Sequence, residues 1–130
     1  MIYLDASALV TLLARRTYAT ELREFLESRP VLPMATSTLG FVETVRTMDR
    51  IGEYPDLMRD LVSGFTEILL TEEVRDAAAH LPGTLRTLDA IHVASAQALG
   101  DSLDTLVTYD KRMLDVARAE GLPAEAPGLL

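Results

Sequence analysis

Residues 88–99 read LDAIHVASAQAL, and this stretch decides the fold of the chain. On a helix, its apolar side chains fall on nearly every side, so we expect this helix to be buried rather than to lie on the surface. Gly100 follows it and ends it. The segments before and after must therefore supply the layers that cover it.

Short apolar segments alternate with amphipathic segments along the rest of the chain. Strands that alternate with helices predict a parallel sheet covered by helices on both faces. Two helices are expected to begin after Thr17 and Thr71, and the end of the chain, from Ala124 on, is expected either to form an edge strand or to fray. We predict further helices at residues 7–14, 37–50, 55–65, 88–99 and 110–120, and strands at residues 1–4, 31–35, 67–70 and 103–108.

The composition favours one α/β domain over residues 1–130. Hydrophobic residues make up 48% of the 130-residue chain, which is enough to bury a core. The absence of cysteine excludes a disulfide framework and a cysteine zinc site. The first residues carry no basic segment of a signal peptide, and no apolar run approaches the roughly 20 residues that span a bilayer. We therefore expect a cytoplasmic protein without a membrane partner.

The charge of the chain leaves its partners open. A formal net charge of -8 argues against nucleic acid, because phosphate contacts normally need a basic surface. However, a carboxylate cluster that binds a metal ion inverts its local charge. Lys111 is the only lysine, so the basic residues are mostly arginines, which pair bidentately with phosphate. RNA is neither supported nor excluded, and a basic protein partner fits equally well.

Three aspartates occupy equivalent positions in the predicted fold. Asp5 ends the first strand, Asp110 follows the strand at residues 103–108, and Asp89 opens the buried helix. The carboxyl ends of parallel strands meet at one edge of the sheet, so Asp5 and Asp110 should converge. Converging carboxylates repel one another unless a cation lies between them. Mg²⁺ or Mn²⁺ would fit, because hard cations prefer oxygen ligands.

Each of these acids also has an ordinary structural explanation. Asp5 and Asp110 stand where a strand passes into a helix, and aspartate is a favoured N-cap there. Asp89 would complement the helix dipole. Glu43 lies away from the apolar stripe of its helix, and an ion pair with Arg46 is its expected role. The spacing of the residues does not decide between these roles and a metal site.

The two histidines also have to be weighed as metal ligands or as structural residues. His92 lies one turn after Asp89 and has a ligand-like spacing, but in an apolar helix a packed, hydrogen-bonded core histidine is the favoured interpretation. His80 lies near the turn at Pro82 and Gly83 and is expected to be exposed. Neither is predicted to bind metal.

Four segments resemble, in family order, the four acidic motifs of PIN-domain ribonucleases of the VapC type. They are residues 2–9 (IYLDASAL), 37–43 (STLGFVE), 85–96 (LRTLDAIHVASA) and 107–113 (VTYDKRM). The third segment is the most specific. The resemblance as a whole covers essentially all of the chain, and none of the four segments lacks its acid.

The resemblance implies a PIN-like three-layer α/β/α sandwich with a short central parallel sheet. It implies an endoribonuclease that depends on Mg²⁺ or Mn²⁺ and acts as the toxin of a toxin–antitoxin pair. It also implies that Asp5 and Asp89 bind the metal directly and leaves open whether Glu43 and Asp110 bind directly, through water or at a second ion. The residues that match the acidic quartet are Asp5, Glu43, Asp89 and Asp110, and the hydroxyl residues that match supporting positions are Ser7 and Thr108.

The partners implied by the resemblance are RNA, a VapB-type antitoxin and a second copy of the chain. Single-stranded or loop RNA is the expected substrate, and which RNA is cut stays open. Two alternatives are a PIN nuclease for RNA processing without a toxin role and a catalytically silent PIN-fold binding module. A phosphatase of the haloacid-dehalogenase type is disfavoured because Ser7 stands where it needs a second aspartate. The arginines close to the motifs, and therefore candidates for phosphate contact, are Arg15, Arg16, Arg46, Arg86 and Arg112.

Overall fold

The structure is a computed structural model that describes residues 1–129. The strands are β1 (Ile2–Leu4), β2 (Met34–Ser37), β3 (Thr66–Ile68), β4 (Thr105–Val107) and β5 (Ala124–Glu125). The helices are α1 (Ala6–Leu13), α2 (Ala19–Glu27), α3 (Thr38–Asp49), α4 (Leu57–Gly64), α5 (Glu72–Ala79), α6 (Thr87–Gln97) and α7 (Lys111–Ala119), with a 3₁₀ turn at Gly100–Ser102. Residue 130 lies outside the described residues, so one domain over residues 1–130 stays a prediction.

The strands form one parallel sheet in the order β3-β2-β1-β4-β5. β1 lies at the centre, between β2 and β4. The predicted α/β fold with a short central parallel sheet is confirmed. Of the two possibilities for the end of the chain, the structure has the edge strand, since β5 pairs with β4.

Helices cover both faces of the sheet. Alternate residues of β1 therefore point into different helical layers. Ile2 and Leu4 pack in a core cluster with Leu9 of α1. Tyr3 packs on the other face, in a cluster that includes Leu114 of α7. The sheet therefore lies between two helical layers, and its central strand β1 is buried along its whole length.

The junctions after β1 and β4 are capped by their own aspartates. Asp5 Oδ1 accepts a hydrogen bond from the Ala8 amide (2.9 Å), and Asp110 Oδ1 accepts one from the Met113 amide (3.0 Å). These bonds satisfy amides that have no partner within the helix. The capping role of both residues is thus confirmed, and it brings both carboxylates to the carboxyl edge of the sheet.

The start of α2 differs from the prediction. Thr17 is not its cap; Tyr18 holds that position with φ of 76° and without a side-chain hydrogen bond to the helix. The Tyr18 ring stacks on the Tyr109 ring, with centroids 5.7 Å apart. Because Tyr109 is distant in sequence, local capping rules could not predict that Tyr18, rather than Thr17, precedes α2.

The second strand also lies later than predicted. The apolar pattern suggested residues 31–35, whereas β2 begins at Met34. Pro33 has no amide to donate to a neighbouring strand, and its carbonyl accepts a hydrogen bond from the Ile2 amide (2.9 Å). Val31 is 88% exposed and lies outside the sheet.

The helices are short. The longest, α3, has 12 residues. Within residues 1–129, none has both the length and the apolar character that crossing a bilayer requires.

Candidate metal centre

Asp5 lies at the carboxyl end of β1 and is only 2% exposed. Its Oδ1 accepts hydrogen bonds from the Ser7 hydroxyl (2.6 Å) and the Ala8 amide (2.9 Å). Its Oδ2 accepts one from the Thr108 hydroxyl (2.6 Å), which comes from the end of the neighbouring strand β4. Asp5 is therefore held in one orientation between the ends of two strands.

The environment of Asp5 works against its negative charge. Burial raises the pKa of the Asp5 carboxyl, while the nearby His92 and the hydroxyl donors of Ser7 and Thr108 act in the opposite direction. Burial is the largest of these effects. A carboxylate in such a position gains from a nearby cation more than an exposed one does.

Ser7 and Thr108 connect Asp5 to the start of α7. The Ser7 hydroxyl accepts a hydrogen bond from the Tyr109 amide (2.9 Å), and the Thr108 hydroxyl accepts one from the Asp110 amide (3.1 Å). Both hydroxyls also donate to Asp5. The geometry suits the supporting role predicted for them, and that role stays a prediction.

Arg86 lies between two of the predicted site acids. Its Nε donates to Asp89 Oδ2 (3.1 Å), and its terminal nitrogen is 3.7 Å from Asp110 Oδ2. The Asp89 and Asp110 side chains are 11% and 29% exposed, whereas that of Arg86 is 76% exposed. The hydrogen bond to Asp89 and the charges of both acids raise the pKa of the guanidinium. Arg86 is therefore a cation held at the surface of an acidic cleft.

An open pocket of about 450 Å³ lies over these groups. It is lined by Arg86, Asp89, Asp110, Lys111 and Arg112. Three positive side chains thus stand beside two carboxylates. Such a rim can bind a phosphate while the carboxylates bind a cation.

Glu43 has a different partner from the one expected. Its Oε1 lies 2.7 Å from Nε2 of His92, so it does not form the predicted ion pair with Arg46, which is exposed. α3 packs beside α6, and this brings the two side chains together although they are 49 residues apart. The ion-pair prediction for Glu43 was wrong because helical spacing does not show which helix packs alongside.

The interpretation of His92 as a packed, hydrogen-bonded core residue is confirmed. It is 1% exposed, and its Nδ1 lies 2.7 Å from the Tyr3 hydroxyl. Tyr3 was not predicted to belong to the site. A buried tyrosine hydroxyl and a buried imidazole each need a hydrogen-bond partner. This requirement could have predicted the contact between Tyr3 and His92. His80 is exposed, as expected.

The four acids do not form one compact cluster. The charges of Asp89, Asp110 and Glu43 all raise the pKa of Arg86, and the nearby His92 opposes the rise in the pKa of Asp5. Within residues 1–129, however, no three aspartate, glutamate or histidine side chains are close enough to hold one metal ion as they stand. The arrangement is an acidic cleft in which an arginine already provides a positive charge.

The five arginines close to the motifs are dispersed. Arg86 and Arg112 line the pocket over Asp89 and Asp110. Arg15 and Arg16 line a separate polar pocket with Tyr18. The structure therefore brings two of the candidates to the acids.

Comparison with known proteins agrees with the fold and with the order of the motifs. A family model described as the PIN domain matches residues 2–119. Ribonuclease VapC47 of Mycobacterium tuberculosis is 42% identical, and the alignment covers 98% of each chain. The chain therefore belongs to the PIN domain family, among the VapC ribonucleases, and the resemblance seen in the four motifs is confirmed.

Two solved structures have the same fold. The crystal structure of M. tuberculosis VapC20, described as a sarcin-ricin loop cleaving toxin, has a TM-score of 0.73 at 17% identity and covers 98% of this chain and 100% of VapC20. The structure of VapBC-1 from nontypeable Haemophilus influenzae has a TM-score of 0.71 at 16% identity and covers 97% of this chain and 98% of that one. At these identities the likeness concerns the fold alone.

Proposed function

We propose that the chain is a divalent-metal-dependent endoribonuclease that hydrolyses RNA phosphodiester bonds and acts as the toxin of a toxin–antitoxin pair. One observation carries the proposal. Asp89 and Asp110 line one pocket with Arg86, Thr108 links Asp5 to the Asp110 amide, and the charge of Glu43 acts on Arg86, in a chain of the VapC ribonucleases. In α/β proteins the carboxyl edge of the sheet is where ligands bind.

The chemistry of the acids fits a hard divalent cation. Every candidate ligand atom is a carboxylate oxygen, as Mg²⁺ and Mn²⁺ prefer. Arg86 is a stand-in cation that already lies between Asp89 and Asp110. Asp5 and Asp89 would hold the ion directly, and Glu43 and Asp110 would bind it directly, through water or at a second ion, once the Arg86 guanidinium has moved away.

The residues of the chain prepare the cleft for phosphodiester hydrolysis. Ser7 and Thr108 fix the orientation of Asp5 through two hydroxyl hydrogen bonds. Arg86, Lys111 and Arg112 offer positive charge to RNA phosphates at the mouth of the cleft. A divalent ion bound there would polarise the scissile phosphate and make a water molecule a better nucleophile.

The family also supplies the proposed protein partners. We expect a VapB-type antitoxin and a homodimer of the chain, which would make a hetero-oligomer with the antitoxin. The net charge of -8 suits a basic segment of such a partner. An arginine from that segment could take the place that Arg86 holds between the acids.

Cleavage of mixed RNA by the purified, antitoxin-free chain tests the proposal. We expect cutting with Mg²⁺ or Mn²⁺ and none with EDTA. Asp5→Asn should abolish cutting, whereas Asp115→Asn, on the exposed side of α7, should leave it unchanged. Cutting that survives EDTA, or that survives Asp5→Asn, would contradict the proposed metal site.

A binding module without catalytic activity is the second candidate. Retention of all four acids argues against it. Thermal denaturation during a Mn²⁺ titration separates the two: a metal site stabilises the fold progressively as the ion exceeds its dissociation constant. A folded chain without cutting and without Mn²⁺ stabilisation would favour the binding module.

A further inference from the structure

Three side chains form a hydrogen-bonded network that leads from the core to Glu43. The Tyr3 hydroxyl lies 2.7 Å from Nδ1 of His92, and Nε2 of His92 lies 2.7 Å from Oε1 of Glu43. Tyr3 and His92 are 0% and 1% exposed, whereas the Glu43 side chain keeps 28% exposure. The Glu43 carboxylate is therefore the exposed end of this network.

The hydrogen bonds of the three groups can be assigned consistently. A carboxylate only accepts, so His92 donates its Nε2 proton to Glu43. In the tautomer that carries its proton on Nε2, Nδ1 accepts from the Tyr3 hydroxyl. Every polar atom of His92 thus has a partner, as a buried imidazole requires.

The two residues that support Glu43 in this network are buried, whereas Glu43 itself is partly exposed. A glutamate side chain has three rotatable bonds, and fixing it costs conformational entropy. His92 lies in the buried helix α6, and Tyr3 lies in the central strand β1. A hydrogen bond from such a support restricts Glu43 before any ligand arrives.

We propose that His92 is a positioning residue that orients the Glu43 carboxylate toward the cation of the site, with Tyr3 holding the imidazole in place. The inference rests on the proposed function, because it takes Glu43 as one of the carboxylates that act on the metal ion. In many proteins, hydrogen bonds from neighbouring residues orient the side chains that bind a metal ion. Loss of such a hydrogen bond typically weakens metal binding about 10- to 100-fold.

A double-mutant cycle on Mn²⁺ affinity, measured by isothermal titration calorimetry without RNA, tests the proposal. Glu43→Gln and His92→Leu should each weaken Mn²⁺ binding, the latter by about tenfold. The double variant should bind no more weakly than Glu43→Gln alone, because His92 acts through Glu43. A purely structural role of His92 would instead multiply the two losses.

Three further variants complete the experiment. His92→Gln keeps an N–H donor and should restore most of the affinity. Tyr3→Phe keeps the ring, should weaken binding a few-fold, and serves if His92→Leu does not fold. His80→Gln removes an exposed histidine and should leave Mn²⁺ affinity unchanged.

The outcomes separate this inference from the proposed function. A wild-type chain that binds no Mn²⁺ contradicts the proposed function itself. Mn²⁺ binding that is unchanged in Glu43→Gln, or in both His92→Leu and Tyr3→Phe, overturns the positioning role and leaves the other acids as the site. Losses that multiply in the double variant overturn it as well.

Discussion

At the scale of single residues, Asp5 combines a structural and a chemical role. Its carboxylate caps α1 and accepts two further hydrogen bonds from Ser7 and Thr108. These three hydrogen bonds form without a metal ion, yet burial still raises the pKa of Asp5. The capping role therefore does not compete with the proposed metal site; it places the carboxylate there.

The raised pKa predicts how Asp5→Asn changes stability without metal. An acid with a higher pKa in the folded than in the unfolded chain binds more protons when folded, so its ionisation lowers stability as pH rises above its ordinary pKa. Asparagine avoids this cost and still caps the helix. We expect the metal-free variant at neutral pH to melt at least as high as the wild type, and the difference to vanish in acid.

Thermal denaturation between pH 3 and pH 8, in EDTA, measures this prediction. Asp115→Asn is the matched control, since Asp115 is exposed on α7 and should show no such pH-dependent difference. A melting temperature of Asp5→Asn several degrees below the wild type at neutral pH would mean that ionised Asp5 stabilises the fold.

Arg86 gives a second prediction at this scale. Its guanidinium pairs with Asp89 and Asp110, so a metal ion must displace it to reach both carboxylates. We expect Arg86→Gln to bind Mn²⁺ more tightly, by roughly threefold to tenfold given how weak exposed ion pairs are. Isothermal titration calorimetry at low ionic strength measures the change.

Arg112 provides the control for Arg86. It lines the same pocket, but its terminal nitrogen donates to the Thr84 carbonyl (3.4 Å) rather than to an acid. Arg112→Gln removes the same charge without removing an ion pair with the acids. Equal gains in Mn²⁺ affinity for both variants would show that Arg86 acts only through its charge at a distance.

At the scale of elements, the contact between α3 and β2 positions Glu43. Gly40 lies in the first turn of α3, directly over Thr36 of β2. A Cβ at residue 40 would lie 2.0 Å from the Thr36 hydroxyl oxygen and 3.2 Å from its Cβ. Thr36 is fully buried in a strand that pairs on both sides, so its backbone has little room to move and its hydroxyl would have to rotate away. The glycine is thus required for the close approach that brings Glu43 to His92.

Gly40→Ala should therefore destabilise the chain. Overpacking of this kind costs about 1–3 kcal/mol, which corresponds to a melting temperature lower by roughly 4 °C per kcal/mol. Gly64, at the end of α4, has no atom within 4 Å of the position of an added Cβ, so Gly64→Ala should be neutral or slightly stabilising. Thermal denaturation of both variants checks the prediction, and an unchanged Gly40→Ala would show that α3 can shift freely.

At the scale of the whole molecule, several large apolar side chains remain exposed. Leu69 and Leu70, which follow β3, are 60% and 59% exposed, and Val62 of α4 is 54% exposed. A contiguous group of exposed apolar side chains, unlike single ones, is typical of surfaces that bind another protein. We expect the chain to form the homodimer that the family resemblance implies. Light scattering over a wide concentration range tests this, and a monomer throughout would contradict it.

The elements and their order could be predicted from the sequence because they depend on local physics. Apolar spacing identified the helices, and the residues that follow β1 and β4 were recognised as caps from their type alone. The edge of the sheet that holds Asp5 and Asp110 followed from the rule for parallel strands. Boundaries failed where a distant contact or a proline decided them, as at Tyr18 and Pro33.

The sequence by itself thus determined the α/β fold, the order of the acidic motifs and the family. Only the tertiary structure decided which groups those acids meet. His92 reaches Glu43 across 49 residues and Tyr3 across 89, and Arg86 joins Asp89 of α6 to Asp110, the N-cap of α7. These contacts depend on how α3, α6 and α7 pack around β1, and the periodicity of a single helix carries no information about its neighbour.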